Sequence, residues 1–145
     1  MLSRIPFVPL ALFVASVFLY PVATQAQEKG AKVLARGEFH KAEKAGKGTA
    51  TVYQLADGKR VLRLSNFATD NGPDLYVRLI AAADARDTAS AAKKKYVELA
   101  KLKGNKGNQN YELPATVDLG KYRVVSIWCN RFSVNFAAAP LKLVK

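Results

Sequence analysis

Cysteine, methionine, histidine and tryptophan each occur once in the 145 residues of this chain. The single cysteine, Cys129, rules out an internal disulfide. It leaves four roles for that thiol: inert and buried, reactive, a ligand, or an intermolecular cross-link. Structural zinc normally takes four nitrogen or sulfur ligands and would find only His40 and Cys129. Haem iron is little better served, because the one methionine is Met1 and no Cys-x-x-Cys-His attachment motif is present. Serine hydrolysis would have to use His40, and no Gly-x-Ser-x-Gly elbow accompanies it. Acidic residues are also scarce, 11 against 23 basic, for a formal net charge of +12. Such a charge favours anionic partners such as membrane surfaces, acidic polymers or acidic proteins. Nucleic acid is not expected among them, because no interleaved aromatics accompany the lysines.

Only one long apolar run exists. It extends from Ile5 to Val22 behind Arg4, broken by Pro6, Pro9 and Pro21, and is followed by Thr24-Gln25-Ala26. A positive start, an apolar stretch and a small-residue site are the parts of a secretory signal peptide, so cleavage after Ala26 is expected. No cysteine ends the run, which excludes a lipoprotein anchor on that residue. With no second run long enough to span a bilayer, the mature product is expected to be soluble, not membrane-spanning, and periplasmic or secreted. The remainder suits one domain with one core. It reads as a flexible lead over residues 27–36 and a single β domain over residues 37–145.

Within that domain the clearest local signal is a hairpin. Thr49 to Leu55 is rich in β-branched and aromatic residues, Asp57-Gly58 follows, and Arg60 to Leu64 alternates, with Leu62 and Leu64 on one face. Asp-Gly between two such runs predicts a two-residue turn with positive φ at both positions. Asn71-Gly72-Pro73-Asp74 predicts another turn, leading to a strand in which Leu75, Val77 and Leu79 share a face. Ala81 to Lys95 lacks an apolar stripe and reads as a loop with a short helical turn. Further strands are expected around Tyr96 to Leu99, Tyr111 to Leu113, Tyr122 to Cys129 and Arg131 to Phe136, the last with Phe132, Val134 and Phe136 facing one way. Many short strands punctuated by glycine, proline and asparagine predict an all-β fold, an antiparallel sandwich or barrel with little helix.

Strand alternation places the thiol. Val125, Ile127 and Cys129 point to one face and Val124, Ser126 and Trp128 to the other, so Cys129 is expected to face the core. There it is either a small packing hydrophobe or a redox thiol. Arg131 would lower its pKa if the strand ran on, whereas Asn130-Arg131 equally reads as a turn. A His40/Cys129 pair for haem needs the first and penultimate strands to meet. Asp70 and Asp74 read as turn caps before cation ligands. The segment Gly104 to Asn110 lacks the Gly-Lys-Ser/Thr ending of a phosphate loop, and its amides read as folding a surface turn. Lys93, Lys94, Lys95, Lys101, Lys103 and Lys106 would rim it with positive charge.

Four blocks together carry a resemblance: Asn66-Phe67; Asn71 to Val77; Leu102 to Pro114; and Ser126-Ile127-Trp128-Cys129-Asn130-Arg131-Phe132-Ser133-Val134. In order and spacing they resemble the electron-transfer DM-thirteen domain, from about Gly37 to Leu141. The resemblance implies an extracytoplasmic all-β module of a kind found beside DOMON-type and cytochrome modules. It also implies that the family's characteristic cysteine, here Cys129, acts in redox chemistry as a bare thiol or by holding a prosthetic group such as haem. The cofactor is otherwise unknown. No cytochrome segment is seen here, so the expected electron partner is a separate redox protein, and the chain reads as a redox accessory more than a stand-alone enzyme. Trp128, Arg131 and Tyr111 are the expected surroundings of the thiol. The alternative function is a non-catalytic extracytoplasmic binding module that uses its basic surface on anionic envelope components.

Overall fold

A computed structural model describes residues 30–145, and the expected signal peptide lies outside them. Ten strands follow in order: β1 (Lys32–Glu38), β2 (His40–Lys41), β3 (Gly46–Gln54), β4 (Arg60–Thr69), β5 (Leu75–Ile80), β6 (Tyr96–Lys101), β7 (Lys106–Leu113), β8 (Val124–Cys129), β9 (Val134–Pro140) and β10 (Lys142–Leu143). One short helix, α1 (Thr88–Ala92), lies between β5 and β6. The strands form two five-stranded antiparallel sheets, ordered β10-β1-β3-β4-β7 and β2-β9-β8-β5-β6. The chain passes from one sheet to the other at Phe39, so β1 and β2 are nearly one strand shared between layers. The fold is the all-β sandwich that the alternation predicts.

The core lies between the sheets. Ala50, Val52, Leu62, Leu64 and Phe67 from the first layer meet Val77, Leu79, Val125, Ile127 and Phe136 from the second. Each fully buried aliphatic side chain of this kind contributes about 1.5–3 kcal/mol. The expected pairs Leu62/Leu64 and Leu75/Val77/Leu79 do face inward together, because period-two geometry leaves them no other side. Outside the second sheet lies a smaller cluster of Ile80, Ala85, Ala91, Val124, Trp128 and Ala138. It exists because the 81–95 segment folds over that face. Asp87 caps α1, accepting from the Ser90 amide at 2.7 Å while Ser90 Oγ accepts from the Asp87 amide at 3.3 Å. Strand β8 is therefore buried on both sides.

Four expectations need correction. Residues 32–36 are not a flexible lead, for Lys32–Glu38 is a full strand paired with β3 and β10. The β3–β4 hairpin turns through three residues rather than two. Leu55 and Lys59 close it, the Gly58 amide donates to the Leu55 carbonyl at 2.9 Å, and Gly58 alone has positive φ, at 88°. That is a type I turn with a left-handed glycine, in which Asp57 keeps ordinary φ and accepts from the Lys59 amide. The last long strand starts at Val134, not Arg131. Ser133 takes φ 52° and ends a tight turn, so Phe132 is 59% exposed instead of facing the core. The segment before Tyr111 is also more regular than expected, since β7 begins at Lys106. Among the described residues no helix is long and apolar enough to cross a membrane.

Candidate functional site

Cys129 is the last residue of β8, directly opposite Leu75 on β5 and Val134 on β9. It is free, fully buried, and packed in the main core cluster with Val125 and Ile127, as the alternation predicts. No hydrogen bond to its sulfur is present among the described residues. Two turns close this end of the core. In one, the Asn130 amide donates to the Asp74 carbonyl at 2.9 Å, which ties the start of the 130–133 turn to the 71–74 turn. In the other, Gly72 lies so close that a Cβ there would come within 2.8 Å of Leu75 Cδ2 and 3.0 Å of Phe136 Cε2. Glycine is needed at that position to bring the turn down onto Phe136 and onto Leu75, the register partner of Cys129.

The other expected neighbours lie apart from it. Arg131 is in the turn and exposed, so it does not share the strand face of Cys129. Trp128 points to the opposite side of the sheet, as period two requires. Tyr111 shares the core cluster, but its hydroxyl serves the 103–109 loop: it accepts from the Lys103 amide at 2.9 Å and donates to Gln109 Oε1. Burial pushes the Tyr111 phenol up from its ordinary pKa, partly offset by that amide. Gln109 Nε2 also donates to the Gly104 carbonyl at 2.9 Å, and Asn108 Oδ1 accepts from the Asn66 amide at 2.8 Å. The amide-rich loop is thus bound to itself and to β4.

His40 pairs with Ala138 on β9, which packs in the outer cluster with Trp128. Opposed residues share a face, so His40 and Cys129 lie on opposite sides of the second sheet. Both imidazole nitrogens already face acceptors, Nδ1 the Lys41 carbonyl at 2.8 Å and Nε2 the Asp84 carboxylate at 2.6 Å. Burial tends to raise the Asp84 pKa. The His40 hydrogen bond, the Ala85 amide and the charges of His40 and Arg86 outweigh it and hold the carboxyl below its ordinary value. A haem held between His40 and Cys129 does not fit this arrangement. Nor does one on Cys129 alone, since the thiol is fully buried in the core cluster with Val125, Ile127 and Leu75. Among the described residues no group of three or more His, Cys, Asp or Glu is placed to hold a metal ion. Asp74 instead lies 3.9 Å from Lys101.

A family model described as "Electron transfer DM13" matches residues 38–141, most of the chain, with strands from both sheets. The chain belongs to the electron transfer DM13 family. Neither the curated proteins nor the solved structures compared contain a match to it. The blocks that carry the resemblance have physical roles in this DM13 domain. Asn66 adopts φ 50° at the β4 bulge, the 71–74 turn seals the core, the 102–114 block forms the self-bonded loop and β7, and the 126–134 block is β8 with its turn.

The DM13 domain also has a cluster that the sequence did not reveal. Arg78, in the middle of β5, faces outward with Ser126 on one side and Glu98 on the other. Its guanidinium lies 4.0 Å from the Tyr96 ring centroid and 5.1 Å from that of Trp128. It donates to Glu98 Oε1 at 3.2 Å and Asn130 Oδ1 at 2.6 Å. A guanidinium between two rings is worth about 0.5–2 kcal/mol. A lone cation inside Leu75-Tyr76-Val77-Arg78-Leu79-Ile80 was the available signal. Its partners come from β6 and β8, which only the register brings together. Through Asn130 the cluster reaches the turn beside Cys129.

Proposed function

We propose that this is an exported, single-domain electron-transfer protein whose working group is the Cys129 thiol, exchanging with a separate redox partner. The observation that carries the proposal is the placement of Cys129. The family's expected redox residue is at the end of its strand, beside two short turns joined by the Asn130–Asp74 hydrogen bond, instead of in the middle of the sheet. The apolar run Ile5 to Val22 and the Thr24-Gln25-Ala26 site support export to a periplasmic or extracellular compartment.

The exchange uses a disulfide on the partner as oxidant. Opening of the 71–74 or 130–133 turn admits it. The deprotonated Cys129 sulfur attacks one partner sulfur, the partner's S–S bond breaks, and a Cys129–partner disulfide forms. The leaving partner sulfur keeps the electron pair and takes up the proton that Cys129 lost, so Cys129 is oxidised and that sulfur reduced. Local opening of this kind costs less than unfolding the domain. The basic surface supports encounter with an acidic partner.

Incubation of native protein with oxidised glutathione tests this directly. A one-to-one mixed disulfide is expected, reversible by reduced glutathione, with the native circular dichroism retained throughout. An adduct that forms only in denaturant, or that unfolds the protein, would sink the proposal.

A further inference from the structure

The outer face of the β10-β1-β3-β4-β7 sheet carries an ordered line of cations. Register sets Lys142 opposite Arg36, Arg36 opposite Thr51, Thr51 opposite Arg63, and Arg63 opposite Asn110. Directly opposed residues share a face. This one is the solvent side, because Ala50, Val52, Leu62 and Leu64 alternate with the line and point into the core. One row across five strands therefore presents Lys142, Arg36 and Arg63. Like charges directly opposed destabilise a sheet, and Lys142 with Arg36 is such a pair. The ion pairs among the described residues use His40, Arg78, Arg86 and Lys101, and none uses a cation of this row. Arg63 reaches only the neutral Asn110 Oδ1, at 3.2 Å.

Along the row lies a groove of about 720 Å³, whose lining includes Arg36, Glu38, Thr49, Thr51, Tyr53 and Lys142. Thr51 forms the floor at 2% exposure, and Arg63 continues the line just beyond the groove. Of the lysine rim expected from the sequence, Lys106 begins β7 at the edge of this sheet, and the others are placed differently. Lys101 is beside Asp74, Lys103 is bonded to the Asn110 carbonyl, and Lys93 to Lys95 follow α1 over the other sheet.

We propose that this groove binds a stretch of acidic polysaccharide, with its carboxylate or sulfate groups on Arg36, Lys142 and Arg63. Three features select that ligand. The site is concave, which suits a chain laid into it and not a flat bilayer. Its cations are interspersed with the hydroxyls of Thr49 and Tyr53 and with the Glu38 carboxylate, groups that hydrogen-bond sugar hydroxyls, which a polyphosphate lacks. Arg36 and Arg63 are two strands apart, roughly 10 Å, far enough to engage separate acidic units of a chain running across the strands.

The test is binding of the purified protein to polygalacturonate and heparin, as carboxylated and sulfated probes, beside vesicles rich in anionic phospholipid. Arg36→Ala combined with Arg63→Ala is expected to weaken binding to one or both polysaccharides about tenfold or more and to flatten its salt dependence. Lys142→Ala alone, on the exposed edge strand, should weaken it several-fold. Removing Lys93, Lys94 and Lys95 together subtracts more charge and is expected to change affinity less than about twofold, because those lysines are off this face. Equal loss in the lysine and arginine variants would overturn the proposal, as would binding confined to the vesicles or absent from all probes. Cys129→Ser should leave binding intact, so this site and the redox reading fail separately.

Discussion

Strand β8 carries two small, fully buried side chains of opposite character, Ser126 and Cys129, on opposite faces of one sheet. Ser126 is locked: its Oγ donates to Asn135 Oδ1 at 2.8 Å, and Asn135 Nδ2 donates to the Ala85 and Asp87 carbonyls at 3.2 and 3.3 Å. That chain ties β8 and β9 to the segment folded over them. Cys129, three residues on, has no such network and contacts an aliphatic core closed by turns. The difference is one between a polar group whose every bond restrains the structure and a thiol that nothing but packing holds. The first belongs to stability; the second is the group to which the proposed exchange assigns reactivity.

Breaking the locked side should have the largest effect. Asn135→Ala removes the acceptor of Ser126 and both bonds to the covering segment, and is expected to cost about 3 kcal/mol in urea denaturation, a buried network being worth more than its separate bonds. A loss under about 1 kcal/mol would show that the covering segment is held by apolar contact alone. On the other face, Cys129→Ser puts a hydroxyl among Val125, Ile127 and Leu75 without a partner, for an expected loss of about 2 kcal/mol. Cys129→Ala should cost less in the same assay, and the reverse order would mean that the thiol position can satisfy a polar group.

Much of this contrast was legible in the sequence, and the reason is geometric. Period-two alternation depends only on strand identity, so the inward Cys129 and outward Ser126 and Trp128 followed once Val124 to Cys129 was recognised as a strand. The same logic located Leu62 with Leu64 and Leu75 with Val77. What depended on positive φ at a non-glycine residue was hidden: Ser133 at 52° turns the chain and leaves Phe132 outside. The Asp57-Gly58 signal identified the hairpin but not the number of residues in its turn. Contacts that need inter-strand register were not readable at all. The Arg78 cluster, the His40–Asp84 pair and the Lys142–Arg36–Arg63 row each join residues distant in the chain. Lys32–Glu38 was missed as a strand because its alanine and glycine are small where they pack close, Gly37 lying against the Pro140 carbonyl.

Smaller effects sharpen the comparison. Gly72→Ala forces a methyl against Leu75 and Phe136 and should destabilise by about 1–2 kcal/mol, while speeding labelling of Cys129 beyond what the stability loss alone explains. If labelling and stability change in strict proportion, the 71–74 turn is not the thiol's cover. The smallest change is expected at Asp84. Its carboxyl is held below its ordinary pKa, so its contribution is present at neutral pH and is lost as pH falls from the ordinary carboxylate range through the lowered folded value. Thermal melts of Asp84→Asn should therefore lie slightly below wild type at pH 7 and converge with it as the solution is acidified. A gap that persists at low pH would show that charge is not the cause.

The role of Cys129 turns on whether it is reached by local opening. Native-state alkylation of the thiol, followed at increasing urea below the unfolding transition, measures this directly. The expected opening free energy is well below that of global unfolding, with little dependence on urea, because only the turns at 71–74 and 130–133 move. An opening energy and urea dependence equal to those of whole-domain unfolding would contradict the account and leave Cys129 a packing residue.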